Sequence, residues 1–155
     1  MASQLPRPEV RPPARVRLLL IQLGYHAARR LNARLEPLGL EPRHYGVLRA
    51  IAAREGATQQ AVGSRLDLAP PRMVALIDDL EKRGLVERRR NPSDRRAYGL
   101  FLTASGRSCL DEALAAAESE EEALLGGLDP AQRAQLELLL REIAEHQGLG
   151  DAVLP

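Results

Sequence analysis

The stretch Asp78–Gly106, "DDLEKRGLVERRRNPSDRRAYGLFLTASG", decides the fold, because the kind of backbone that it favours changes along its length. Its first part has helical spacing and ends at Gly84. Two strand-like segments, "LVERRR" and "RAYGLFLT", follow, and residues 91–94 between them are turn formers. Apolar side chains recur at every second position from Tyr98 to Leu102, as in a half-buried strand. The pattern predicts a basic β-hairpin directly after a helix.

Three short helices are predicted before this hairpin. The segment "EPRHYGVLRAIAAREG" favours a helix that starts at Pro42 and ends at Gly56, with Tyr45, Leu48, Ile51 and Ala52 on its buried face. Thr58 is placed to cap a third helix, "QQAVGSRL". "LAPPR" breaks that helix and opens a fourth at Pro70, because proline is tolerated in a first turn but not further in. Short helices with a tight break before the last one predict a helix-turn-helix.

Longer helices are predicted on both sides of this central part. Apolar residues recur at spacings of three and four over Arg15–Leu35. Thr103 can cap a helix through "CLDEALAAAESEEEALL", and a last helix begins at Asp129, with Gln132 three residues later as in a capping box. These helices have no obvious surface to pack on within the small central part. We therefore expect a second copy of the chain to cover them, forming a homodimer.

The distribution of charge points to a polyanionic partner. The formal net charge is only +1, but residues 1–110 contain 20 basic and 10 acidic residues, whereas residues 111–155 contain 2 basic and 11 acidic ones. All of the basic residues except Lys82 are arginines, which suit bidentate contacts with phosphate and guanine. Coding bias toward arginine is the plain alternative for that choice. The charge split itself favours a nucleic acid as partner.

Several other classes of protein are disfavoured. Cys109 is the only cysteine, so the chain has no internal disulfide and suits a reducing cytoplasm. The longest apolar run, "LLLIQLG", is too short for a membrane span. The three histidines are dispersed, so we expect no metal site and no cofactor. The run Glu118–Glu122 favours solvated carboxylates, and neither a phosphate loop nor a nucleophile-and-base pattern is present, so we do not expect an enzyme.

The order of these elements resembles the MarR family of winged helix-turn-helix transcriptional regulators. The most specific part is the opening stretch, with a Leu-Glu-x-x-Gly-Leu helix end, an Asp-Arg-Arg wing tip, and a Leu-Thr-x-x-Gly entry into the next helix. The resemblance implies a mainly α fold with a small β-hairpin wing. It covers roughly residues 15–147, and divides them into dimerisation helix 1 (15–37), a winged helix-turn-helix DNA-binding domain (41–103) and C-terminal dimerisation helices (104–147). The prolines and charges of residues 1–14 predict a flexible Pro- and Arg-rich arm before these domains, and residues 148–155 form a tail after them.

The resemblance also assigns DNA contacts to individual residues. The fourth helix becomes the recognition helix, which enters the major groove of double-stranded DNA, and the guanidinium of Arg72 is the leading candidate for a base contact. The first turn, "APPRM", lacks the small hydroxyl or amide residues that are common there in the family, so apolar contacts with thymine methyls are the alternative. The third helix is expected to contact DNA phosphates. The residues concerned are Pro70, Pro71, Arg72 and Met73 in the recognition helix, and Gln59, Gln60 and Arg65 in the third helix.

In the wing, the resemblance gives Arg95 the role of the tip arginine that reaches into the minor groove, whose negative potential attracts arginine. Asp94 would repel phosphate, so we interpret it as a brace that pairs with Arg88 or Arg96 and points Arg95 outward. Family members also sense small aromatic or phenolic ligands between the first two helices and the dimerisation region. The candidates for lining such a pocket are Tyr25, His26, Arg29, His44 and Tyr45.

The sequence therefore predicts a cytoplasmic, homodimeric, sequence-specific DNA-binding repressor that a small molecule releases from a pseudo-palindromic operator. Two alternatives remain open. One is an architectural or accessory nucleic-acid-binding protein with the same winged fold and little sequence preference. The other is an interaction module whose basic face binds an acidic protein.

Overall fold

The computed structural model describes residues 15–91 and 94–149, and over these residues the chain forms six α-helices, one 3-10 turn and one β-hairpin. The predicted arm (1–14) and residues 150–155 of the predicted tail lie outside the described residues. The elements in chain order are α1 (Arg15–Leu35), the 3-10 turn (Glu36–Leu38), α2 (Pro42–Ala53), α3 (Gln59–Arg65), α4 (Pro70–Lys82), β1 (Val86–Asn91), β2 (Asp94–Leu102), α5 (Ala104–Leu124) and α6 (Pro130–His146).

Local capping chemistry determines where the helices begin. The Thr58 hydroxyl accepts a hydrogen bond from the Ala61 N–H at 3.2 Å, and the Thr103 hydroxyl accepts one from the Gly106 N–H at 2.9 Å. At the start of α6, the side chains of Asp129 and Gln132 each accept the other residue's backbone N–H at 2.9 Å. All three predicted caps are confirmed.

The hydrophobic core lies between α2, α3, α4, the hairpin and the first half of α5. Its largest fully buried side chains include Leu48 and Ile51 from α2, Met73 and Ile77 from α4, and Leu100 from β2. Burying a side chain of this size contributes about 1.5–3 kcal/mol. Ala52, which was predicted to share the buried face of α2, is exposed, because the next position along a helix is turned away from Ile51.

Much of α1 and α6 carries apolar side chains that nothing in the single chain covers. Leu35 alone is fully buried on α1, whereas Val16 is 68% exposed and Leu23 is 54% exposed. On α6, Leu138 is 68% exposed and Ile143 is 46% exposed. No helix in the described part of the chain combines the length and the apolar character needed to cross a membrane. The predicted fold class, mainly α with a small β-hairpin, is confirmed.

Candidate nucleic-acid interface

The first turn of α4 exposes three of its four predicted DNA-contacting residues. Pro70 and Pro71 open the helix, where backbone N–H groups have no partner within the helix, so that proline's lack of an N–H costs nothing. Arg72 follows them, and its side chain is exposed. Met73 is different, because it is only 1% exposed and packs beneath α3 against Gly63. The prediction that Met73 contacts DNA is therefore wrong. Its side chain belongs to the core that holds α4 against α3.

The start of α3 presents polar groups beside α4. Gln60 is exposed, and Arg65 at the other end of α3 is exposed as well. Gln59 is half-buried, and its side-chain oxygen accepts a hydrogen bond from Arg88 at 3.2 Å, a contact that does not use the NH₂ donors of the same amide. The geometry is therefore compatible with phosphate contacts from all three residues.

The hairpin is fixed at its base by close backbone packing. Strands β1 and β2 pair antiparallel from Val86 opposite Leu102 to Arg90 opposite Tyr98, with an irregularity before the tip. The Gly56 N–H donates to the Leu100 carbonyl at 2.9 Å. A Cβ on Gly99 would lie 2.8 Å from the Gly56 carbonyl oxygen, so only glycine allows this approach. The wing is thereby attached to the turn between α2 and α3.

Arg88 connects the wing with the recognition helix. Its guanidinium donates to Asp78 at 2.5 Å and to Glu81, both on α4, as well as to Gln59 on α3. Burial alone would lower the pKa of Arg88, but hydrogen bonds and charges from the two carboxylates outweigh it and raise the pKa. Arg88 thus holds the wing against α3 and α4.

The remaining brace residues cannot be placed at the level of side chains. The backbone of Asp94, Arg95 and Arg96 lies in β2, whereas their side chains lie outside the described part of the structure. The prediction that Asp94 pairs with Arg88 or Arg96 stays a prediction. For Arg88, the structure describes partners on α4, where Asp78 and Glu81 lie within reach of the β1 side chain.

A cleft of about 860 Å³ lies between α1, α2, α5 and α6. Its apolar lining includes Ala27, Leu31, Ala117, Leu125 and Leu136, and its polar lining includes Tyr45, Arg49 and Glu120. Arg49 lies over the Tyr45 ring, with its guanidinium carbon 5.5 Å from the ring centroid. The volume and the lining are of the kind that accepts a small organic molecule.

Of the five predicted pocket residues, Tyr45 alone lines this cleft. Tyr25 is 74% exposed, and His26 and Arg29 are also exposed on α1, turned away from the cleft. His44 is buried elsewhere, beside a smaller hollow that Arg72 and Asp79 also line. Its Nδ1 accepts the Glu41 N–H at 3.1 Å, and burial lowers the pKa of His44 below the ordinary value of 6.5. The other four residues differ from Tyr45 because they occupy other faces of α1 and α2, and their part in an effector pocket stays a prediction.

Sequence patterns had not indicated the role of Glu120. The run Glu118–Glu122 was expected to be solvated, yet Glu120 is only 8% exposed and accepts hydrogen bonds from Arg30 at 2.5 Å and Arg34 at 2.6 Å. These bonds lower the pKa of Glu120. The spacing of α5 could have indicated this burial. Apolar residues lie three and four positions from Glu120, and that spacing puts Glu120 on the buried stripe of the helix.

Among the described residues, no group of three or more His, Cys, Asp or Glu side chains is arranged to hold a metal ion. Cys109 is half-buried, and burial raises the pKa of its thiol.

Comparison with known proteins gives the family. The HTH-type transcriptional regulator YkoM of Bacillus subtilis is 31% identical over 108 residues, which cover 70% of this chain and 70% of YkoM. A family model described as MarR family matches residues 38–97. The chain belongs to the MarR family. As a member of this family, the chain is a transcriptional regulator with a winged helix fold and is not an enzyme.

Solved structures of other MarR-family proteins share the fold. CouR of Rhodococcus jostii RHA1, bound to p-coumaroyl-CoA, matches with a TM-score of 0.74 and 34% identity over 84% of this chain and 92% of CouR. The transcriptional repressor CouR bound to a 23-mer DNA duplex matches with a TM-score of 0.75 and 32% identity over 81% of this chain and 89% of that one. CouR, which is similar to this chain, has therefore been solved both bound to DNA and bound to a ligand.

Proposed function

We propose that this MarR-family regulator is a homodimeric repressor that binds a pseudo-palindromic operator in double-stranded DNA. The observation that carries the proposal is the exposed first turn of α4, which includes Arg72, on a helix to which the wing is attached through Arg88. CouR, which shares this fold, has been solved on a DNA duplex. Each α4 would enter a major groove, and each wing would enter the flanking minor groove.

Sequence would be read mainly by Arg72. Its guanidinium can donate to O6 and N7 of one guanine, a pair of bonds that contributes about 1–3 kcal/mol of discrimination between bases. Pro70 and Pro71 would contact thymine methyl groups, since they offer only apolar surface at the exposed start of the helix. Gln59, Gln60 and Arg65 would bind phosphates, which fixes the register of the protein on DNA without reading the bases.

The wing would add a contact that responds to groove shape. We propose that Arg95 enters the minor groove and that Asp94, paired with Arg88 or Arg96, holds the loop in place. A narrow minor groove concentrates negative potential, so this contact would favour A/T-rich flanks without selecting a particular base. Replacing Arg95 with Ala should weaken DNA binding and leave the dimer intact.

A second copy of the chain would cover the exposed apolar faces of α1 and α6. Side chains such as Val16 on α1 and Leu138 on α6, each 68% exposed, are costly to leave in water over a continuous face. A two-fold dimer places two α4 helices in successive major grooves, about 34 Å apart, which explains the pseudo-palindrome. As a partner of chromosomal DNA, the regulator would act in the cytoplasm.

The cleft between α1, α2, α5 and α6 would bind a small aromatic or phenolic effector. Tyr45 and Arg49 on α2 lie opposite apolar residues of α1, α5 and α6. A bound molecule would therefore contact both the DNA-binding part, through α2, and the proposed dimerisation helices. CouR has been solved with p-coumaroyl-CoA. An effector that binds more tightly to a conformation with the wrong spacing of the two α4 helices would release the operator.

A second candidate is an architectural protein with little sequence preference. The first turn of α4 favours it, because Ala69, Pro70 and Pro71 provide no hydrogen-bonding side chain for the bases. Selection of bound duplexes from a random pool distinguishes the two. A repressor should enrich a motif of two-fold symmetry whose half-sites lie about 10 base pairs apart. Recovery of unrelated duplexes would support the architectural protein. A ligand screen for release of the selected duplex then tests the effector.

A further inference from the structure

Arg88 lies where three parts of the DNA-binding region meet. It projects from β1 of the wing, and its side chain is only 25% exposed. Hydrogen bonds from its guanidinium reach Asp78 and Glu81 on α4 and the Gln59 amide at the start of α3. One side chain thus joins the wing, the recognition helix and the helix that we propose to bind phosphate.

The chain connection between α4 and the wing is short and has a defined bend. Helix α4 ends at Lys82, and Gly84 reverses the chain with a left-handed φ of 71°. The Leu85 N–H donates to the Leu80 carbonyl at 2.9 Å, and β1 begins at the next residue. The base of the hairpin is held on its other strand by the Gly56 N–H, which donates to the Leu100 carbonyl. Arg88, two residues into β1, adds a side-chain attachment that joins the wing directly to α4.

The charges of this attachment also bear on DNA binding. Asp78 and Glu81 are one helical turn apart on α4, so both carboxylates lie on the side of the recognition helix that faces β1. Their charges alone would repel the phosphates of any duplex. Arg88 neutralises part of this charge, and its guanidinium donors are directed to protein acceptors.

We propose that Arg88 is a positioning residue that sets sequence specificity. It holds α3, α4 and the wing as one rigid unit, so that Arg72 can enter the major groove while the wing enters the flanking minor groove. The proposal rests on the proposed function, since it requires sequence-specific binding by α4. It predicts that Arg88 contributes to the difference in affinity between the operator and other DNA, and that it makes no phosphate contact.

The experiment measures the affinity of the full-length protein for the duplex selected from the random pool and for a scrambled duplex of the same composition. Arg88→Gln should lower the affinity ratio of selected to scrambled DNA at least about fivefold, the low end of what one bidentate base contact contributes. Arg88→Lys should lower the ratio as well, because a single ammonium group cannot reproduce the planar fork that spans the carboxylates and the amide. Thermal unfolding of each variant reports whether it is folded.

Arg90→Gln is the matched control, because it removes the same charge from an exposed position on the same strand. It should weaken binding to both duplexes equally and leave the ratio unchanged. The salt dependence of binding gives an independent readout, since each neutralised phosphate contributes a slope of about 0.9 in log affinity against log salt. Arg88→Gln should keep the wild-type slope. A slope reduced by about 0.9 would show that Arg88 binds phosphate, which would overturn the proposal.

The double variant Asp78→Asn with Glu81→Gln separates positioning from charge, and it also serves if Arg88→Gln does not fold. Removing two negative charges should strengthen binding to scrambled DNA. If Arg88 acts by positioning α4, binding to the selected duplex should nevertheless weaken. Equal strengthening on both duplexes would overturn the proposal. A wild-type protein that does not prefer the selected duplex would instead contradict the proposed function, and this inference with it.

Discussion

Gly106 lies where α5 crosses the start of the wing, and replacing it with Ala should destabilise the protein. A Cβ at this position would lie 1.9 Å from the carbonyl oxygen of Leu85, whereas real Cβ contacts stay beyond 3.0 Å. The first turn of α5 would have to move away by more than 1 Å. That movement separates the Thr103 N–H from the same Leu85 carbonyl, which it now reaches at 3.1 Å.

The size of the effect follows from these contacts. Overpacking against backbone costs about 1–3 kcal/mol, and loss of the Thr103 hydrogen bond costs about 1 kcal/mol. Alanine recovers about 0.5–1 kcal/mol through its better helix propensity. We therefore expect Gly106→Ala to lower the free energy of unfolding by about 1–3.5 kcal/mol and the melting temperature by about 2–4 °C for each kcal/mol lost.

Urea and thermal unfolding, followed by circular dichroism at one fixed protein concentration, measure this difference. Ser105→Ala is the matched control, because Ser105 is the exposed neighbour in the same helical turn. Its effect should stay within about 0.5 kcal/mol. If Gly106→Ala were as stable as Ser105→Ala, the close approach of α5 to Leu85 would be refuted.

Three further predictions concern other parts of the molecule. Because Arg30 and Arg34 lower the pKa of Glu120 below 4.5, the ionised carboxylate stabilises the fold above that pH, and this stabilisation is lost as the pH falls through the lowered pKa. In urea titrations at a series of pH values, the stability advantage of the wild type over Glu120→Gln should therefore shrink on acidification. A constant advantage would argue against this ion pair. Burial raises the pKa of Cys109, so a disulfide reagent should modify the folded protein more slowly than the urea-unfolded chain, and equal rates would contradict the burial. Arg72→Ala should relax base preference at one position of each half-site, costing about 1–3 kcal/mol of discrimination in competition binding, and an unchanged preference would remove Arg72 from base reading.

The helices and the hairpin were predictable from the sequence because their signals are local. Thr58, Thr103 and Asp129 cap helices through side chains that act within three residues, and Gly84 ends α4 by adopting a conformation that other residues rarely tolerate. Spacing of apolar residues was sufficient to assign most of the core. The same spacing places Met73 on the inner face of α4, where it is buried. The family resemblance nevertheless assigned Met73 to DNA, because a pattern that marks the start of the recognition helix does not distinguish its buried side from its exposed side.

The candidate site was less predictable, because it depends on contacts between residues far apart in the chain. Arg88 and Asp78 are ten residues apart and lie on different elements, β1 and α4. Glu120 and Arg30 are separated by 90 residues. Nothing in a run of glutamates shows which one meets an arginine from another helix. The cleft depends on how four helices pack, so the sequence could indicate Tyr45 as a candidate but could not separate it from four residues on other faces.

The proposed function depends on recognition of a specific sequence in double-stranded DNA by α4 and the wing. The most direct test is a fluorescence anisotropy titration of the wild-type protein with the duplex recovered by selection and with its scrambled counterpart, at physiological salt. We expect the selected duplex to bind at least about 10³ times more tightly, as specific regulators do. Equal affinity for the two duplexes would contradict it.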